Sequence, residues 1–136
     1  MIRVKAIIEI AGFPKEHVEQ TVDKVVSTLK ESFNLKNFKV YEAVALKEKL
    51  EGFWSSFCDV EVELKNIDEL VVFCFDFMPS SIEIISPESL SLKQNEMGNI
   101  FNDLLSRLHN YDMLVKNLNA SNQVLKKKLD ESVKAS

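Results

Sequence analysis

Apolar and polar positions alternate over residues 2–10. Ile2, Val4, Ala6, Ile8 and Ile10 fall on one side; Arg3, Lys5, Ile7 and Glu9 fall on the other. A period of two marks a strand with one buried face. Ala11-Gly12-Phe13-Pro14 then turns the chain, and Pro14 suits the first turn of a helix. The period changes there. Val18, Val22, Val25, Val26, Leu29 and Phe33 recur at helical spacing and predict a helix over 14–32. A turn is expected over 34–37, followed by a second strand carrying Phe38, Val40, Val44 and Leu46 and a charged connector over 47–52. The third strand is expected to turn Cys58, Val60, Val62 and Leu64 inward and Phe57, Asp59, Glu61 and Glu63 outward.

Residues 66–78 admit two readings. The run Val71 to Phe75 is rich in strand formers. Asn66 followed three residues later by Glu69 has the pattern of a helix capping box. The cap favours a helix ended by Pro79. Such a helix is apolar almost all round and would need cover on more than one side. Ile82, Ile84 and Ile85 form a short fourth strand stopped by Pro87. The order strand, helix, strand, strand, helix, strand over about residues 2–86 resembles the ferredoxin-like split βαββαβ arrangement. That resemblance rests on element order, and the topology hosts many unrelated functions. It implies an α+β sandwich over residues 1–88.

Residues 89–136 read differently. Past Ser91 the only glycine is Gly98 and there is no proline. Met97, Leu104, Tyr111, Leu118 and Leu125 fill the d positions of a heptad repeat, and Phe101, Leu108, Val115, Asn122 and Leu129 fill the a positions. Heptads sustained over this length predict a coiled-coil helix. Asn122 is the one polar residue in the seam. An asparagine at an a position costs stability while fixing register in a parallel pair. The plainer reading is that it marks where the helix begins to fray, because Asn117 to Asn122 is a weakly helical stretch. Ile100 and Leu114 at g and Leu105 at e widen the apolar stripe in the first half of the helix.

Charge changes the picture of what binds. The net charge is −4, with ten basic and sixteen acidic residues among the first 90 and seven against five in the remainder. An acidic body repels a phosphate backbone. Base-stacking modules of the same topology need aromatics on the first and third strands. Here one phenylalanine and three acids occupy the outward face of the third, so nucleic acid is not an expected partner. No run of 18 apolar residues spans a bilayer, and Met1 to Lys5 lacks a signal peptide's apolar core. Cys58 and Cys74 stand in apolar surroundings without a second pair, which suits free thiols in a reducing cytoplasm.

Chemistry is sparse. His109 and Asp112 share a helix face and form the one acid–base pair at suitable spacing, but no nucleophile or phosphate-binding loop accompanies them. Asp59, Glu61 and Glu63 are placed for cross-strand pairing with Arg3 and Lys5 rather than for a metal, and nothing asks for a cofactor. Phe53, Trp54 and Phe57, around the start of the third strand, are candidates for partner contact, because aromatics near a loop are enriched at protein interfaces. The sequence thus predicts a non-enzymatic, cytoplasmic homodimer acting as an interaction or scaffold protein through its C-terminal helix. The alternative is a regulatory domain that senses a small molecule at a dimer interface.

Overall fold

The computed structural model describes residues 1–46 and 52–135. The predicted connector over 47–52 therefore lies outside the described residues, except for Gly52. The chain divides into two compact units, Met1–Ser91 and Leu92–Ser136. It is an α+β protein with an antiparallel sheet and a long C-terminal helix.

In the first unit the elements are β1 (Ile2–Gly12), α1 (Lys15–Ser32), β2 (Asn34–Val40), β3 (Val44–Ala45), β4 (Trp54–Leu64), α2 (Ile67–Phe77) and β5 (Ser81–Ser86). The strands form one sheet in the order β2-β4-β1-β5, with β3 also pairing with β4. β1 and β4 run antiparallel in unbroken register from Ile2 opposite Leu64 to Gly12 opposite Trp54. The alternation seen in the sequence becomes two faces. Ile2, Val4, Ala6 and Ile8 of β1 and Cys58, Val60, Val62 and Leu64 of β4 are all buried. They join Val22, Val26 and Leu29 of α1 and Leu70 and Phe73 of α2 in one core, so both helices cover the same face of the sheet.

α2 is a helix, which settles the ambiguous stretch. The Asn66 side chain accepts a hydrogen bond from the Glu69 amide at 2.9 Å, and the Glu69 carboxylate accepts one from the amide of Lys65. These bonds satisfy backbone donors that no helical carbonyl can reach. The helix ends at Met78, in the left-handed region at φ 44°, with its amide donating to the Cys74 carbonyl at 3.0 Å. Replacing Asn66 by alanine should lower stability by about 1 kcal/mol, read as a shift in urea midpoint. A change below about 0.3 kcal/mol would mean that the strand formers hold this helix without the cap.

Two expectations need correction. The turn predicted over 34–37 is strand: α1 stops at Phe33, and β2 begins at Asn34, opposite Glu63. The pairing slips between Leu35 and Asn37. That irregularity puts Leu35 and Phe38 on the same face although they are three apart, which hides the period of two. The second strand is also not continuous, because β2 ends at Val40 and β3 starts at Val44. Between them Tyr41 still follows β4, its amide donating to the Phe57 carbonyl at 2.9 Å, and Ala43 is buried. On α2, Val72 remains 46% exposed. Ile82, Ile84 and Ile85 on the edge strand β5 are each about 40% exposed.

The second unit is one uninterrupted helix, α3, over Gln94–Ala135. At about 1.5 Å per residue it is roughly 60 Å long. It runs without interruption through the weakly helical stretch Asn117 to Asn122. Asparagine and serine disfavour a helix by only a fraction of a kcal/mol each and do not break it.

Candidate functional site

Three places in the molecule hold the residues that sequence reading singled out. The first is the stripe along α3. All ten a and d positions lie on the helix, and none of its residues is buried. Phe101, Leu108, Val115, Leu118, Leu125 and Leu129 are all more than half exposed. An amphipathic helix gains little from propensity alone and is held by what its apolar stripe meets. His109 is exposed on the same helix. Asp112, its sequence-predicted partner, is held by Lys116 one turn on, at 2.8 Å.

The second place is the aromatic cluster at the start of β4. Trp54 is half-buried, with the Lys15 ammonium 5.1 Å from its ring centroid. Phe53 is half-buried against Phe13, ring centroids 5.1 Å apart. Phe57 sits elsewhere, 40% exposed on the face away from the helices and opposite Glu9. The three rings therefore do not form one patch. Period two explains why: Trp54 and Phe57 differ by an odd number of residues on one strand and must face opposite ways.

The third place was not foreseen. The open face of the sheet carries a trough of about 400 Å³ lined among others by Lys5, Ile7, Asn37, Lys39, Asp59, Glu61 and Glu83. Register assembles it: Lys5 stands opposite both Glu61 and Glu83, and Lys39 opposite Asp59. Three acids of this face have partners. Arg3 reaches Glu61 at 3.7 Å and Glu63 at 3.2 Å, and the Tyr41 hydroxyl donates to Asp59 at 3.0 Å. Cross-strand pairing of opposite charges, expected from the sequence for Arg3 and Lys5, sets the character of this surface. The trough could be found in the sequence only by fixing the register of four strands, which no local signal supplies.

The thiols are chemically quiet. Burial pushes Cys58 up from the usual value of 9.0, with the nearby Asp59 charge adding to it, and burial alone raises Cys74. Both are free. Since thiolate is the reactive form, a thiol reagent should label the folded chain far more slowly at pH 8 than the urea-unfolded chain. Well below pH 9 both states keep these protons, so the thiols add no pH dependence there. Above it the unfolded chain ionises first and stability falls as pH rises. The decline between pH 8 and 10 should be shallower in a variant with both cysteines replaced by alanine; equal slopes would refute the assignment.

The fold and its surfaces define a small α+β domain joined to a long amphipathic helix, with no three-residue metal cluster and no membrane-length apolar helix among the described residues. The chain belongs to the MJ0538 family, whose model matches residues 3–135, across both units. It is 30% identical over 111 residues to a protein of Methanocaldococcus jannaschii named Uncharacterized protein MJ0538. That match takes in 82% of this chain but spans only 42% of the relative's length. No solved structure matches the chain.

Proposed function

We propose that the protein is a non-enzymatic, self-associating interaction protein of the cytoplasm, dimerising through α3, with its first unit a ferredoxin-like βαββαβ sandwich. The observation that carries the reading is the continuous helix Gln94–Ala135, with its apolar heptad stripe exposed to solvent. Eight apolar or aromatic seam positions facing water, with Leu104 half-buried among them, are costly for a lone chain, and burying them at about 25 cal/mol per Å² is the ordinary driving force of helix pairing. The sandwich reading is supported by the sheet order β2-β4-β1-β5, by antiparallel pairing throughout, and by the burial of both helices against one face. The extra strand β3 is the departure. The acidic, charge-laced open face argues against nucleic acid as a partner.

The test is the solution mass of the full chain by light scattering across a hundredfold range of concentration. The expected result is twice the 15.6 kDa of one chain. A monomer at every concentration would defeat the proposal. A second reading, a small-molecule-sensing regulatory domain, is favoured by one observation, the mixed-charge trough beside Lys5 and Lys39. A thermal-shift screen with amino acids and nucleotides decides it, and loss of the response in a Lys5→Ala variant would place the ligand there.

A further inference from the structure

The charges flanking the seam carry the reading further. In the heptad frame Arg107 is a g position, and Asp112, five residues on, is the e position of the next heptad. In a parallel, in-register pair of helices, g of one chain meets that following e of the other. Arg107 of each copy then faces Asp112 of its partner, twice by symmetry. The remaining g-to-e pairs, Ile100 with Leu105, Leu114 with Asn119, Ser121 with Lys126 and Lys128 with Val133, bring no like charges together.

An antiparallel pair with full overlap fares worse on the same residues. Opposing Met97 to Leu129 across the seam opposes Leu104 to Asn122, so each buried amide meets a leucine and loses its hydrogen-bond partner. The same alignment brings e against e and sets Asp112 against its own copy. In the parallel pair, by contrast, Asn122 meets Asn122, amide to amide. Resting on the dimer reading above, we propose that the occupant of the α3 seam is a second copy of this chain lying parallel and in register. Its orientation is selected by Asn122 and by the Arg107–Asp112 pair between copies.

Neither charge is idle in the single chain. Asp112 holds Lys116 at 2.8 Å, and Arg107 is itself engaged. The interchain pair therefore shares existing partners and contributes modestly to affinity, while the amide layer and the charge pattern decide direction.

A spin label on the full chain at Lys127→Cys, an f position outside the seam, reads the orientation. Parallel helices hold the two labels about 20–35 Å apart, while the antiparallel alignment moves them more than 40 Å apart along the axis. A dimeric mass with the short distance is the expected result. A dimeric mass with the long distance overturns the orientation and leaves the dimer standing; a monomeric mass removes both. A double-mutant cycle on the dimer Kd with Arg107→Gln and Asp112→Asn isolates the charge pair. Each single change is expected to weaken the dimer about two- to fivefold, and the double change by less than their product. Residues five apart on one helix do not face each other, so the coupling reports contact between copies, and strict additivity would discard the pair.

Discussion

Replacing Phe73 by alanine should lower the unfolding free energy by about 3–5 kcal/mol, the largest effect expected of any single truncation in the first unit. Phe73 is fully buried. Its ring meets Phe33 edge-on at 5.8 Å and stacks on Phe77 at 5.7 Å. Phe33 also meets Phe77 at 5.8 Å, so one truncation leaves the other two rings lining a void. α2 buries only Leu70 besides Phe73, and the loss is a large part of what docks that helix on the sheet. For a domain with about 5–15 kcal/mol of total stability, the variant stands near the edge of folding. Urea denaturation measures it, with an unchanged slope and a lower midpoint. The neighbouring Val72, 46% exposed, serves as the control, and its alanine variant should lose well under 1 kcal/mol. Equal losses at the two positions would mean that α2 is not docked through Phe73.

Placing an aspartate at Leu118 should abolish self-association. Leu118 is a d position near the middle of α3 and more than half exposed in the single chain, so the substitution costs the monomer little. In a paired rod it buries two carboxylates side by side at the centre of the seam. The lost leucine contacts and the desolvated charges together are worth roughly 4 kcal/mol or more per dimer, about a thousandfold in Kd. Light scattering at micromolar concentration should then give one chain's mass. Asp112→Asn, off the seam, should still give a dimer. A Leu118→Asp chain that remains dimeric would move the interface away from α3, to the exposed isoleucines of β5 or the open sheet face.

The parts of this molecule that were legible in the sequence are those governed by short-range rules. The period of two in β1 and β4 foretold which residues are buried, because side chains on a pleat can only alternate. The Asn66–Glu69 cap outweighed a run of β-branched and aromatic residues, because a satisfied helix end competes directly with a weak strand preference. The heptads over 97–129 foretold an unbroken helix. The failures share a cause. The pairing slip at Leu35 and Asn37 shifts the period by one residue, so β2 read as a turn. The break between Val40 and Val44 is set by what β4 offers its neighbour, not by the local residues. Trp54 and Phe57 looked like one patch because distance along the chain was read without parity. The trough around Lys5 needs four strands in register.

Three of the four large apolar residues at the e and g positions of α3, Ile100, Leu105 and Leu114, lie in its first half, while the second half has only Val133 and carries Asn122, Lys126 and Lys128. Adhesion along a paired α3 is accordingly graded. Warming or dilution would open the two strands like a zip, starting at the Ala135 end and halting where the stripe broadens. In such a pair the far tip would be the part that splays to admit another helix while the root stays closed.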